Sequence, residues 1–260
     1  MTNEFAGHNK TVIVTGVSRR IGIAAAVAAN LAADGWNVFA TWWTPYDESM
    51  KWGSNPGEAE AIVAEFGGKG MEADMADPAT PQRVFDAATA TYGPIRALIN
   101  VHTRDMGGGI DVISATDLDE HYAVNVRGTY LMCKEFAARY TSTPETQGLG
   151  RIVNFLSGPP LIGSVAYATT KGAAHWMTMS IAGELAPRGI TVNAINPGPT
   201  DTGWMSDELL TRLNAATPAG RMSTPTDSAN MVRFVISPEG GWVNGQFLQS
   251  DGGFSLFALG

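Results

Sequence analysis

Short runs of apolar and β-branched residues alternate with helix-favouring segments along almost the whole chain. Each run has the length of a strand and is bounded by glycine or polar residues, which is typical of buried strands. Because helices separate these runs, we expect one α/β domain over residues 1–260, with a doubly wound parallel sheet and a polar tail at 1–10. The predicted strands are Thr11–Thr15, Asn37–Thr41, Gly70–Asp74, Ile95–Ile99, Arg151–Leu156, Gly189–Ile195 and Gln246–Gln249.

The composition limits the classes of function. With 44% hydrophobic and 16% charged residues, the chain has the make-up of a globular protein. A net charge of −8 argues against a nucleic-acid surface, although an anionic cofactor needs only a local basic pocket. The single cysteine, Cys133, excludes an intrachain disulfide and a cysteine metal cluster. Without a secretory leader or a membrane-length apolar run, we expect a soluble cytoplasmic protein with no metal, nucleic-acid or membrane partner.

A glycine-containing turn follows the first strand. Gly16 comes directly after that strand, and Gly22 lies at the start of an alanine-rich helix predicted over 21–33. A strand, a glycine turn and a helix N-terminus together offer backbone N–H groups to a phosphate. The pattern therefore predicts a phosphate-binding turn.

The residues around this turn favour NADP(H) over NAD(H). The second strand ends at Thr41, where an NAD-binding chain usually has an acidic residue for the ribose 2′-hydroxyl. Arg19 and Arg20 lie in the turn and could pair with a 2′-phosphate. The alternative is that both arginines are solvated residues at the start of the helix.

Three further segments border the predicted site. The long connection 42–56 is expected to fold over the adenine end of a nucleotide or to meet another subunit. Asp74, at the end of the third strand, could accept from an adenine amino group or cap the segment after the strand. Residues 200–221, which include Trp204 and Met205, suit a mobile lid over a substrate.

Ser157 and the pair Tyr167 and Lys171 form a candidate proton-handling site. Ser157 ends a predicted strand, and a helical reading places Tyr167 and Lys171 one turn apart on one face. The pKa of a free phenol is about 10, and a neighbouring ammonium is expected to lower it. Alone, this spacing is most often chance surface chemistry.

In this order along the chain, Thr15-Gly16, Gly22, Asn100, Asn125, Ser157, Tyr167-x-x-x-Lys171 and Pro197-Gly198 resemble the short-chain dehydrogenase/reductase family. The 3-oxoacyl-[acyl-carrier-protein] reductase-like branch is the most similar, and the resemblance covers about Thr11 to Phe254. It implies a seven-stranded Rossmann sheet, nicotinamide chemistry and a homotetramer or homodimer.

The resemblance also implies roles for single residues. Tyr167 is the general acid in reduction or base in oxidation, Ser157 binds the substrate oxygen, Lys171 holds the nicotinamide ribose, and Asn125 holds a water that relays protons to Lys171. Substrate contacts are expected from Ser157, His102, Trp204 and Met205. The expected cofactor contacts are Gly16, Ser18, Arg19, Arg20, Ile21, Gly22, Thr41, Asp74, Met75, Asn100, Tyr167, Lys171, Pro197, Gly198, Thr200 and Thr202.

Three departures from the family pattern stand out. Arg20 replaces a glycine, so its side chain must point away from the pyrophosphate or pair with it. The Asn-Asn-Ala-Gly motif reads Asn100-Val-His-Thr103, so this loop must take a different path, with His102 either displaced or part of the substrate site. The loop between Ser157 and Tyr167 is shorter than usual, which makes the usual substrate an unsafe inference.

The leading hypothesis is an NADP(H)-dependent oxidoreductase acting on a carbonyl or secondary alcohol, with 3-oxoacyl-type reduction included. The main alternative is a non-catalytic NADP(H)-sensing protein on the same fold, which the altered glycine and asparagine motifs favour. A third option is dehydration or epimerisation on a bound nucleotide. The substrate and the physiological direction stay open.

Overall fold

The computed structural model describes residues 10–142, 150–158 and 162–257. Within these ranges one seven-stranded, all-parallel sheet has the order β3-β2-β1-β4-β5-β6-β7. The strands are β1 (Thr11–Thr15), β2 (Asn37–Trp42), β3 (Lys69–Glu72), β4 (Ala97–Asn100), β5 (Gly150–Phe155), β6 (Ile190–Asn196) and β7 (Phe247–Gln249). The strand order reverses between β1 and β4, and such a switch point opens a crevice at the carboxyl ends of the strands. The predicted doubly wound Rossmann sheet is confirmed.

Helices cover both faces of this sheet. They are α1 (Ile23–Ala33), α2 (Thr44–Ser49), α3 (Glu58–Glu65), α4 (Thr80–Tyr92), α5 (Ala115–Tyr122), α6 (Thr129–Arg139), α7 (Val165–Leu185), α8 (Asp207–Ala216), α9 (Pro225–Ile236) and α10 (Phe254–Phe257). A π-helix, Ala123–Gly128, joins α5 to α6, and a 3₁₀ turn, Ala186–Arg188, ends α7. No helix in the described part of the chain has both the length and the apolar character needed to cross a membrane.

Alternate side chains of the central strand enter the two halves of the core. Val12 and Val14 of β1 pack with Val27 of α1 and Val232 of α9 in one cluster. Ile13 packs into the opposite cluster, where Phe85 of α4 and Phe136 of α6 lie edge to face. Because both faces of the sheet are covered at its centre, the inner strands are mostly apolar, which explains why they were readable in the sequence.

Two segments differ from the prediction, and the predicted lid is partly helical. The connection 42–56, expected as a loop, contains α2. The long helix expected from residue 117 to 140 is interrupted by the π-helix around Asn125. The predicted lid contains α8, whose N-terminus is capped when the Ser206 hydroxyl accepts from the Leu209 N–H. The predicted polar tail, except residue 10, and residues 159–161 of the shortened loop lie outside the described residues.

Candidate active site

A cavity of about 400 Å³ opens at the carboxyl ends of β1, β2 and β4. Its walls come from the glycine turn, the ends of β2 and β3, helix α2 and the loop after β4. It brings together nine residues predicted for the site from the sequence: Gly16, Ser18, Arg19, Gly22, Thr41, Asp74, Met75, His102 and Thr202.

The glycine turn forms one end of this cavity. Gly16 has φ +83°, and a Cβ there would lie 3.0 Å from the backbone of His102, so only glycine fits. Gly22 is the N-cap of α1, and no side chain caps the helix. The first residues of α1, Ile23 and Ala24, line the cavity, so the unpaired N–H groups of the helix are available to an anion there.

The two arginines of the turn lie in different environments. The Arg19 guanidinium faces the cavity, donates to the Thr202 carbonyl oxygen and stacks 4.7 Å from the centre of the Trp52 ring. Arg20 instead forms an exposed ion pair with Glu65 of α3. Of the two alternatives for Arg20, the structure thus shows the side chain pointing away from the phosphate turn.

The end of β2 carries an unsatisfied polar atom that points to a missing polar group. Thr41 lines the cavity, and in the described part of the chain its buried Oγ1 has no hydrogen-bond partner. Buried hydroxyls are nearly always paired in native proteins. An uncapped helix N-terminus, a cavity-facing guanidinium and this hydroxyl match the phosphates and adenosine ribose of a dinucleotide, so these residues fit an NADP(H) cofactor.

Two residues of the β3 end complete the expected adenine side. Asp74 lines the cavity, and its Oδ1 accepts from the Ala76 N–H at 2.8 Å, so it caps the following turn while it borders the site. Met75 is buried beside it. Trp43 and two residues of α2, Tyr46 and Asp47, form another wall, and the sequence singled out none of the three by number. In the sequence, only the length of the connection 42–56 indicated that these residues border the site.

Ser157, Tyr167 and Lys171 converge just beyond the end of β5. The Ser157 side chain lies near the Tyr167 hydroxyl and acts to lower its pKa, against the larger effect of burial. The Lys171 Nζ lies 5.5 Å from the centre of the Tyr167 ring and donates to the Phe155 carbonyl oxygen at 2.8 Å. The predicted juxtaposition of phenol, ammonium and hydroxyl is therefore present.

The protonation behaviour of this cluster differs from the prediction. The pKa of Tyr167 is raised, not lowered, because burial disfavours the phenolate and the nearby Asp105 carboxylate adds to that effect. Burial lowers the pKa of Lys171 to about 8, and Asp105 partly offsets this shift. Tyr167 therefore keeps its proton at neutral pH, which suits a proton donor.

Asn125 is buried in the π-helix, and its side chain holds the loop after β4. Its Oδ1 accepts from the Arg104 N–H at 2.7 Å, and its Nδ2 donates to the Arg104 carbonyl oxygen at 2.9 Å. Nδ2 also donates to Thr170 Oγ1 at 2.9 Å, on the helix that carries Tyr167. The side chain of Asn125 thus links the loop to α7, and no direct contact with Lys171 is present in the described residues.

His102 and Asn100 are also engaged within the protein. The His102 Nδ1 lies 2.7 Å from Thr15 Oγ1, and its Nε2 lies 3.2 Å from Thr129 Oγ1. Burial lowers the pKa of His102 to about 3, so the ring is neutral. Asn100 Nδ2 donates to Asn154 Oδ1 at 2.9 Å. Both side chains connect core elements, which argues against the substrate role expected for His102 and the direct cofactor role expected for Asn100.

The remaining predicted residues, in the turn that starts at Pro197, in the lid and at Ile21, are not among those that line the cavity. Gly198 has φ +66°, and its N–H donates to Asn196 Oδ1, which fixes the turn that starts at Pro197. Thr200 Oγ1 donates to the Gly198 carbonyl oxygen at 3.2 Å. Ile21 and Trp204 are exposed, at 47% and 54%, and Met205 is half-buried.

Comparison with known proteins agrees with this architecture. A family model described as enoyl-(acyl carrier protein) reductase matches residues 16–255, nearly the whole of the chain. The chain belongs to the short-chain dehydrogenase/reductase family. It is therefore a member of a family of oxidoreductases, and the resemblance seen in the sequence is confirmed.

Three relatives of this family member illustrate its range. It is 38% identical to an uncharacterized oxidoreductase, YjdA, of Bacillus subtilis, over 94% of this chain and 96% of that one. It is 29% identical to the 3-oxoacyl-[acyl-carrier-protein] reductase FabG of Staphylococcus aureus, over 95% and 98%. A short-chain dehydrogenase of Burkholderia cenocepacia, solved in complex with NADP, is 32% identical over 94% and 97%, with a TM-score of 0.81.

Proposed function

We propose that this protein is an NADP(H)-dependent oxidoreductase that reduces a carbonyl group to a secondary alcohol. The observation that carries the proposal is the convergence of Ser157, Tyr167 and Lys171 at the carboxyl edge of the sheet, where the Lys171 ammonium lies 5.5 Å from the centre of the Tyr167 ring. A binding protein has no need of such a cluster. Its position next to a cavity with phosphate-binding features joins a proton donor to a nucleotide site.

Ser157, Tyr167 and Lys171 have different roles in the proposed proton transfer. Ser157 hydrogen-bonds the substrate oxygen, and Tyr167 delivers a proton to that oxygen as negative charge develops on it. When bound, a reduced nicotinamide supplies the hydride. The raised pKa of Tyr167 keeps the phenol protonated, which favours the reductive direction. Lys171 supplies positive charge next to the phenol and orients the ribose, as its role in the family implies.

The cofactor is assigned to NADP(H) from the residues of the cavity. Arg19 is the cationic side chain beside the end of β2, and Thr41 stands where a carboxylate would repel a 2′-phosphate. The Burkholderia relative was solved with NADP, which supports the same choice. Gly16, Gly22 and the N-terminus of α1 are assigned to the pyrophosphate.

The finer assignments rest on the sequence and the family. Residues 200–221 are proposed as a substrate lid, with Trp204 and Met205 as its apolar contacts. The water relay through Asn125 would use its backbone, because its side chain is occupied by Arg104 and Thr170. The assembly is proposed as a homotetramer or homodimer, and the cytoplasmic location stays a prediction.

The experiment is a titration with NADPH and NADH followed by a panel of carbonyl substrates. Binding is followed by tryptophan fluorescence, since Trp43 lines the cavity. The panel contains ketones, keto sugars and a 3-oxoacyl thioester, with oxidation of NADPH as the readout. We expect tighter binding of NADPH than NADH and turnover of at least one carbonyl. NADPH binding without turnover across the panel would favour the sensing protein, and a retained, recycled nucleotide would favour dehydration or epimerisation.

A further inference from the structure

The hydroxyl of Tyr46, a residue that lines the cavity, reaches the loop after β4. Tyr46 lies on α2, in the connection between β2 and α3, and Asp105 lies in the loop after β4. The Tyr46 hydroxyl donates to the Asp105 carbonyl oxygen at 3.0 Å and accepts from the Asp105 N–H at 3.1 Å. One side chain thus pairs both backbone groups of a residue in a different loop, in the way that a neighbouring strand would.

The carboxylate of Asp105 is held in one orientation. Its Oδ1 accepts from the Gly107 N–H at 2.9 Å, and its Oδ2 accepts from Ser164 Oγ at 3.4 Å. Ser164 is the N-cap of α7, three residues before Tyr167. The Asp105 side chain is therefore fixed against the start of the helix that carries the proposed proton donor.

A backbone bridge ties the same loop to α7. The Gly108 N–H donates to the Gly163 carbonyl oxygen at 2.6 Å, and the Val165 N–H donates to the Gly108 carbonyl oxygen at 3.1 Å. Asn125 holds the preceding residue, Arg104, through both of its backbone groups. With Tyr46, these bonds fix the loop on both sides of Asp105, so the carboxylate has little freedom to swing away.

We propose that Tyr46 and Asp105 extend the active site, with Tyr46 as a positioning residue that holds the Asp105 carboxylate beside the Tyr167 phenol and the Lys171 ammonium. The catalytic consequence of this arrangement rests on the reductase activity proposed above. The position of the Asp105 carboxylate does not depend on that activity, because it is a property of the ligand-free protein.

The charge of Asp105 favours the protonated form of both partners. It opposes the phenolate of Tyr167 and stabilises the ammonium of Lys171, so it raises the pKa of each. The other groups near Tyr167 are the Tyr46 hydroxyl, which also raises its pKa, and Ser157, whose hydrogen bond lowers it. His102, near Lys171, is neutral and adds no charge. Asp105 therefore maintains the proton that reduction consumes.

The test measures the pKa of Lys171 in ligand-free protein. Lysine side chains are labelled with ¹³C and followed by NMR against pH, and the Lys171 signal is assigned by its absence in Lys171→Met. The variants are Asp105→Asn and Tyr46→Phe. Their matched controls are Asp111→Asn, which removes an exposed carboxylate from the same loop, and Tyr130→Phe, which removes an exposed hydroxyl from α6. Unchanged circular dichroism and Tm qualify each variant as folded.

We expect a titration midpoint near 8 in the wild type, a fall of about 0.5–1 pH unit in Asp105→Asn and a smaller fall in Tyr46→Phe. Both controls should match the wild type. If Asp105→Asn fails to fold, the titration midpoint of Lys171 in Tyr46→Phe still tests the proposal. A wild-type midpoint in both variants would overturn the proposal.

The pH profile of carbonyl reduction separates this inference from the proposed function. In Asp105→Asn the alkaline limb of kcat/KM should move to lower pH by the same amount as the Lys171 midpoint. If the midpoint falls and no carbonyl is reduced, the reductase assignment fails and the placement of the charge stands. If carbonyls are reduced but neither the midpoint nor the alkaline limb moves, the reductase assignment stands and the role of Tyr46 and Asp105 is wrong.

Discussion

The Nζ atom of Lys171 lies 2.8 Å from the carbonyl oxygen of Phe155, the last residue of β5. Two residues further along, Ser157 meets the Tyr167 hydroxyl. The lysine therefore joins α7 to the strand that carries the serine, and it faces the phenol from within the core. This position gives Lys171 a structural bond and a catalytic task, and it also places an ammonium where water cannot hydrate it.

Replacing Lys171 should abolish the activity and stabilise the fold. We expect Lys171→Met to abolish carbonyl reduction and to raise the free energy of unfolding at pH 7 by about 1–3 kcal/mol, because the buried charge is removed. The pKa of Lys171 is about 8 in the folded protein against an ordinary 10.5, so the folded state bears the cost of the charge below pH 8. As pH rises from 8 to 10.5 the folded protein loses this proton first, and the advantage of the variant should shrink.

Urea unfolding of the wild type and Lys171→Met at several pH values measures this effect. Lys134→Met, on a lysine of α6 that is exposed, is the control and should show no such pH-dependent gain. A Lys171→Met variant that is less stable than the wild type at pH 7 and gains stability only at high pH would contradict the prediction.

Arg19 and Arg20 offer a matched pair for the choice of cofactor. Arg19 lines the cavity, whereas Arg20 pairs with Glu65 on the surface. Arg19→Ala should weaken NADPH binding about tenfold or more and leave NADH binding within about twofold, since a charged hydrogen bond to the 2′-phosphate is lost. Arg20→Ala should leave both affinities unchanged, because exposed ion pairs contribute little. Fluorescence titration measures all four affinities, and equal losses for NADPH and NADH in Arg19→Ala would rule out the 2′-phosphate contact.

His102 should make the fold sensitive to acid. The pKa of His102 is about 3 in the folded protein against an ordinary 6.5. Below pH 6.5 the unfolded chain therefore binds a proton at this ring, whereas the ring stays neutral in the folded protein. The wild type should therefore lose stability as pH falls from 6.5 towards 3, by up to about 1.4 kcal/mol per pH unit from this residue. His102→Asn should be less stable at pH 7, yet lose less between pH 6.5 and 4. Denaturant unfolding across this range checks the two slopes, and parallel slopes would show that His102 titrates normally.

Much of the fold could be predicted because it rests on local patterns. The inner strands are buried on both faces, so they appear in the sequence as mostly apolar runs, and the observed strand bounds differ from the predicted ones by at most two residues. Gly16 was readable for a similar reason, since a turn with positive φ packed against another loop admits no side chain. The spacing of Tyr167 and Lys171 placed both side chains on one face of α7.

The parts that could not be predicted depend on contacts between residues far apart in the chain. The Asn100-Val-His-Thr103 loop was expected only to follow a different path. Its path is set by Thr15, whose Oγ1 accepts from the N–H groups of Val101 and His102, and by Asn125. The direction of the Tyr167 pKa shift was wrong for the same reason. Local spacing showed the lysine, but it showed neither the burial of the phenol, which is the larger effect, nor the Asp105 carboxylate, which comes from a distant loop.

The most direct test of the account is the turnover of Tyr167→Phe on a carbonyl that the wild type reduces with NADPH. We expect kcat to fall by about 10²–10⁴-fold while NADPH affinity stays within about threefold, because the proton donor is lost and the nucleotide cavity is unaltered. Tyr122→Phe, on an exposed tyrosine of α5, should keep wild-type turnover. Near-normal turnover by Tyr167→Phe, with intact NADPH binding, would contradict the central claim that this phenol supplies the proton.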